Sequence, residues 1–376
     1  MKVRHCEIAG AGIAGLTTAC VLAQRGWSVQ VHERSPELRE MGAGIYLKLN
    51  SLIVLRELGL HDEVRSVGMT VRAGRISGRS GRVLARHMMN GEDTVTVSRS
   101  TLHRALAVRA RDLGVRFRTS SVVTSADPSG SLTVNSGERF DADLVVGADG
   151  YRSVVRDSVK LAKNVQLLEE GGIRALAPRR AMEREGLTTE QWSGNCRLGI
   201  VPCSKDELYL YLIGPANEKA VNTVPVDKQF WCDRFPEEAD VLNRIGDVAR
   251  YDQFVYSTVS GWSAGRVAII GDAVHAQPPN LGQGAGMAIA NASALGAALD
   301  EITDVPDALR RWETRRRPLT EEVQRWSYRY GLIFYALPFG GLFGEQIRVG
   351  IMSMIGRVKF TARKLSWLRH GGHSIA

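Results

Sequence analysis

The residues best suited to chemistry are glycines. Gly10-Ala11-Gly12-Ile13-Ala14-Gly15 has the GxGxxG spacing. Such a turn needs Gly10 for its tight bend, Gly12 so that backbone can approach a pyrophosphate, and Gly15 so that the following helix packs close to the strand. Free N–H groups and the positive end of the helix dipole then face the phosphates. The acidic residue Glu33, with Arg34 beside it, ends the next apolar run and suits a ribose diol. This fingerprint predicts a bound dinucleotide without choosing between NAD and FAD. Two further polar glycine motifs follow, Gly147-Ala148-Asp149-Gly150 and Gly271-Asp272-Ala273-Val274-His275-Ala276. No Ser-His-Asp set and no metal-ligand cluster is visible. His275 sits in a glycine-rich turn and reads as structural.

The elements that must hold these residues follow from periodicity. Val3–Ala9 reads as a buried strand, 14–25 as a helix ended by Gly26, and 28–33 as the next strand, which makes a parallel β-α-β unit. Residues 50–58 and 99–113 read as helices stopped by Gly59 and Gly114. Short strands at 122–123, 132–134 and 144–146 are separated by turn residues. A hairpin pairs 197–201 with 208–213, and 267–270 is a buried strand feeding an Ala-rich helix. The expected fold is α/β: a Rossmann-type FAD-binding domain (1–70, 98–162 and 264–318), an inserted β-sheet substrate domain (71–97 and 163–263), and a C-terminal helical segment (319–376).

A chain of 376 residues suits about two domains. Its net charge of +9 comes from scattered arginines and a denser patch at 357–369, yet no nucleic-acid module is recognisable. Anionic small molecules account for the excess equally well. Five cysteines without a CxxC pair argue against a disulfide framework or zinc, and predict reduced thiols in a cytoplasmic protein. The apolar stretch 330–344 is shorter than the ~20 residues that span a bilayer and contains Pro338, so membrane contact is not expected. Either a monomer or a homodimer suits these features.

Taken with the N-terminal fingerprint, the other two motifs resemble the signatures of the class A flavoprotein aromatic monooxygenases, the p-hydroxybenzoate hydroxylase fold. They are Gly147–Gly150 with Arg152, Ser153 and Arg156, and Gly271–Ala276 with Pro278–Met287 and Asn291. The resemblance runs from about Val3 to Pro318. It implies non-covalent FAD, NADH or NADPH as a transient reductant, dioxygen, and a small hydroxylated aromatic acid. By the same resemblance Glu33 binds the adenosine ribose. Arg39 lies near the phosphates and ribityl chain, Arg99 is a further FAD-contacting arginine, Asp272 holds a ribityl hydroxyl, and Asp149 is linked to the use of both cofactors. The turn with Gly282, Gly284 and Ala285 offers N–H groups to the flavin's pyrimidine edge.

Within that family, Met41–Leu47, Asp206–Leu210 and Trp312–Pro318 are similar to the branch that oxygenates hydroxypyridine carboxylates and opens their ring. Salicylate- and 6-hydroxynicotinate-type hydroxylases are alternatives, as is a flavin reductase on the same fold. Tyr46, Arg197 and Tyr209 carry over as substrate contacts, with Pro279 before the flavin. An arginine fork suits a carboxylate. Alternation along strands leaves a question open. An even-length hairpin loop places Arg197 and Tyr209 on opposite faces, and an odd loop or a bulge places them together.

Overall fold

The computed structural model describes residues 3–40, 43–88 and 94–335. The start of the Met41–Leu47 motif, the tail after Tyr335 and the basic patch at 357–369 lie outside the described residues.

A six-stranded sheet has the order Ser263–Ala264, Val267–Ile269, Leu144–Gly147, His5–Ala9, Ser28–His32, Arg116–Arg118. Its pairings are parallel except at the Ser263–Ala264 edge. Strands covered on both faces read as continuous apolar runs. Accordingly Ile8, Val31, Val146 and Ile269 are all fully buried. The helices Ile13–Gln24, Arg99–Asp112 and Gly284–Glu301 pack together over this sheet. Ser98 starts the second of them: its Oγ accepts the Thr101 N–H at 3.1 Å, supplying a partner for an otherwise orphaned donor.

A seven-stranded sheet has the order Ala249–Val259, Ala162–Pro178, Glu207–Pro215, Cys196–Pro202, Leu187–Ser193, Ala73–Ser77, Val83–Met88. It is antiparallel apart from the Leu187–Ser193 pairing with Ala73–Ser77. Side chains alternate between its faces. Ile173, Leu198, Ile200, Leu208, Leu210 and Leu212 bury one face against Trp231, Phe235 and Leu242. The opposite face is left to polar and aromatic residues, and it turns toward the six-stranded half.

Two elements close the space between the sheets. A small sheet of Gly44–Lys48, Thr94–Ser98 and Met69–Thr70 brings in Tyr46 and Lys48. The 31-residue helix Val305–Tyr335 carries Tyr330 in from the far side. Among the described residues no helix is long and apolar enough to cross a membrane.

Candidate active site

The glycine turn is shaped by close approaches. Gly10 has φ +98°, and a Cβ there would sit 2.5 Å from the Ala148 carbonyl oxygen. A Cβ on Gly15 would sit 2.0 Å from the Gly10 carbonyl oxygen. Gly12 is the opposite case: a Cβ would meet nothing within 4 Å. It also starts the helix Ile13–Gln24, which has no side-chain cap, so the first-turn N–H groups face open space. Glu33 braces the turn, accepting from the Ala11 N–H at 3.0 Å and the Ser35 N–H at 2.9 Å. Buried His103 donates through Nε2 to the Ala11 carbonyl at 2.8 Å.

The second motif adds an orphaned acceptor. Asp149 Oδ2 accepts the Val155 N–H at 3.1 Å, while the buried Oδ1 has no hydrogen-bond partner. Burial pushes this carboxyl above its usual range. Arg156 ties the two motifs together, donating to the Tyr151 carbonyl at 2.9 Å and the Ala273 carbonyl at 3.4 Å. An uncapped helix start, open space over Gly12 and an unpartnered carboxylate oxygen fit a phosphate-bearing cofactor with hydroxyl donors.

A cavity of about 810 Å³ runs from this turn to the polar face of the seven-stranded sheet. Gly12, Ala14, Arg99, Asp272, Gly282, Gly284, Ala285 and Pro279 line it, and Tyr46, Arg197 and Tyr209 line its far end. Gly10, Gly15, Glu33 and Asp149 shape the neighbouring turns without lining it. Arg34 and Arg39 are exposed side chains outside it, and Arg39 pairs with Glu37 at 3.4 Å.

Charges along the wall are mostly matched. Burial opposes the Arg99 charge, but Glu40, 3.1 Å away, outweighs it and holds the guanidinium above its usual range. Lys48 instead donates to the Leu281 carbonyl at 3.1 Å, and burial alone lowers its ammonium to about 8. The segment leading to Leu281 is anchored to the long helix: Asn280 Nδ2 donates to the Ser327 carbonyl at 2.8 Å, and Gln324 Nε2 donates to the Ala276 carbonyl at 2.9 Å and to the Ser257 carbonyl of the strand Ala249–Val259 at 2.7 Å.

The hairpin resolves the open register. Pro202 pairs with Leu208, Val201 with Tyr209, Gly199 with Tyr211 and Arg197 with Ile213. The odd loop 203–207 therefore places Arg197 and Tyr209 on one face, the face that lines the cavity. Tyr211 lies flat over Gly199, where a Cβ would be 1.8 Å from its ring. Tyr209 packs on Gly44, where a Cβ would be 2.6 Å away.

Arg197 is buried rather than solvated. Its Nη2 lies 3.1 and 3.2 Å from the two Glu170 oxygens, and its guanidinium is 6.0 Å from the Tyr330 ring centroid. Burial works against its charge, and Glu170 together with Glu190 and the phenols of Tyr330 and Tyr211 more than offsets this, so the guanidinium stays above its usual range. Glu170, Glu190 and Tyr330 belong to no motif and were not anticipated. Tyr211 shares the alternation of Tyr209, a signal that does single it out.

A family model described as "FAD binding domain" matches residues 2–327. The chain belongs to this family. As a member of the FAD-binding domain family it is 36% identical over 376 residues to a 2-heptyl-3-hydroxy-4(1H)-quinolone synthase of Mycobacteroides abscessus, covering 96% of this chain and 97% of that one. It is 32% identical to a 3-amino-4-hydroxybenzoate 2-monooxygenase of Streptomyces cremeus, covering 89% and 88%. It is 39% identical to the crystal structure of 2-methyl-3-hydroxypyridine-5-carboxylic acid oxygenase, with a TM-score of 0.84 over 93% of this chain and 96% of that one. The enzyme is thus an FAD-dependent monooxygenase of aromatic substrates, with NAD(P)H as the family's reductant.

Proposed function

We propose that this monooxygenase acts on an uncharged, electron-rich heteroaromatic ring carrying an N–H or O–H donor, of the 2-alkyl-4(1H)-quinolone type. One observation carries the reading. The arginine best placed to meet a substrate carboxylate is already matched by Glu170 at 3.1 Å, with both side chains buried. Drawing a second carboxylate to it would compete with an ion pair whose disruption leaves a charge stranded, at a cost of about 3–5 kcal/mol. A neutral ring avoids that cost. The quinolone named for the Mycobacteroides relative is a ring of this kind, hydroxylated at position 3.

Within this reading the residues divide the work. The turn at Gly10–Gly15, with Glu33, Asp149, Arg99 and Asp272, holds FAD. Gly282, Gly284 and Ala285 supply N–H groups at a helix start, which favour negative charge there. Reduced FAD, when bound, supplies the activated oxygen. Tyr46, Tyr209 and Pro279 orient the ring and keep water out, which limits unproductive release of hydrogen peroxide.

A second reading, a hydroxypyridine carboxylate with or without ring opening, rests on the 39% identity to the hydroxypyridine acid oxygenase. It requires the substrate to take the place of Glu170 at Arg197. The two are separated by measuring substrate-stimulated NADH and NADPH oxidation, and product, with 2-heptyl-4(1H)-quinolone, 2-methyl-3-hydroxypyridine-5-carboxylate, salicylate and 6-hydroxynicotinate. We expect coupled product with the quinolone. Coupled product with the acids alone would overturn the neutral-ring reading.

A further inference from the structure

Glu190 lies on the strand Leu187–Ser193 and lines the cavity opposite Gly199. Both of its oxygens are engaged. Trp192 Nε1 lies 2.6 Å from Oε1, and an indole N–H can only donate. The Tyr211 hydroxyl donates to Oε2 at 2.7 Å. With its proton committed to Glu190, the Tyr211 oxygen offers lone pairs to a ligand and selects a donor. The tyrosine cannot easily swing away, because its ring fills the space over Gly199.

The groups around Glu190 come from four other elements. Tyr46 faces it from the small sheet, Arg197 from the neighbouring strand, Tyr330 from the long helix, and Glu170 from beyond Arg197. Arg197 is the cation among them, and Glu170 already shares its charge. Burial, reinforced by Glu190, holds the Tyr211 phenol well above its usual range, so it stays protonated and suits passing a proton on.

We propose that Tyr211 and Glu190 form a relay that accepts the ring N–H or O–H proton of the substrate as it is oxygenated. The substrate's X–H bond breaks and its electron pair stays on the ring, which makes the ring a better nucleophile. The proton forms a new O–H bond on Tyr211 while the original Tyr211 proton moves to Glu190 Oε2. No electrons leave the three groups, and the proton passes to water after product forms. The inference rests on the aromatic-pocket reading above and deepens it: the site takes its substrate in the protonated form.

The test uses FAD-loaded enzyme and 4-nitrophenol, whose phenolate is visible by absorbance. A carboxylate behind the acceptor disfavours a bound anion, so wild-type enzyme should raise the ionisation of bound 4-nitrophenol by about one pH unit or more. Glu190→Gln and Tyr211→Phe should each abolish that rise, with FAD content confirming the fold. In single turnover with 2-heptyl-4(1H)-quinolone, Glu190→Gln should slow product formation by ~100-fold or more. Unchanged ionisation in both variants, or unchanged product formation, would overturn the relay and leave the monooxygenase reading intact. Failure of 4-nitrophenol to bind at all would instead remove the aromatic pocket, and the relay with it.

Discussion

Arg197 and Glu170 meet at 3.1 Å across the strand Glu207–Pro215, each side chain buried. A guanidinium that faces a cavity therefore arrives there with its charge already answered.

Breaking this pair should destabilise the fold. Arg197→Met strands Glu170, at about 3–5 kcal/mol, and Glu170→Gln removes the carboxylate paired with Arg197 and leaves Glu190 facing it, at a smaller cost. The double variant should recover most of the loss, because no charge is left alone. Chemical denaturation of the four proteins checks this. Single variants that unfold at the wild-type midpoint would show that the pair is not formed.

The glycine turn separates binding from folding. Gly12→Ala points into open space, so its thermal midpoint should match wild type while FAD binding weakens by ~10-fold or more. Gly15→Ala would drive a Cβ to 2.0 Å from the Gly10 carbonyl, so it should lower the midpoint itself. Isothermal titration and thermal denaturation distinguish the two effects.

Much of the nucleotide half was legible because local rules govern it. Gly10, Gly12 and Gly15 carry their roles in their spacing, and the helix after Arg99 stops near its glycine. Tyr209 and Arg197 were legible except for parity, which the odd loop 203–207 decides. Glu170 was not. It sits where the pairing of Ala162–Pro178 with Ala249–Val259 takes up two extra residues between Leu167 and Gly171, which interrupts the local pattern around it. Tyr330 was missed as well, because a helix from the far end of the chain delivers it. Arg34 and Arg39, placed by motif position alone, lie exposed outside the cavity.

Lys48 predicts a pH effect on stability. Its folded-state value is lowered to about 8 from the ordinary 10.5 by burial. Below that value both folded and unfolded chains hold the proton, and the folded chain carries the full cost of burying it. Between the two values the unfolded chain binds more protons than the folded one, so stability from this residue rises with pH. Lys48→Met should be more stable than wild type at pH 7, and the gap should narrow toward pH 10. Denaturation at both pH values checks it, and a constant gap would refute the burial of a charged lysine.

Gly199 predicts a selective loss. A methyl group there would collide with the Tyr211 ring at 1.8 Å. Gly199→Ala should displace Tyr211, cost about 1–3 kcal/mol of stability, and cut substrate turnover while FAD content stays near wild type. Turnover at the wild-type level would mean that Tyr211 is not needed in its present place.

The central claim is that this chain places one oxygen atom from dioxygen onto an aromatic ring with FAD and NAD(P)H. Turnover of 2-heptyl-4(1H)-quinolone under ¹⁸O₂, followed by mass spectrometry, tests it most directly. We predict a hydroxylated product carrying one ¹⁸O, formed in step with NADH or NADPH oxidation. If no panel compound stimulates cofactor oxidation, or if the product's new oxygen comes from water, the account is contradicted.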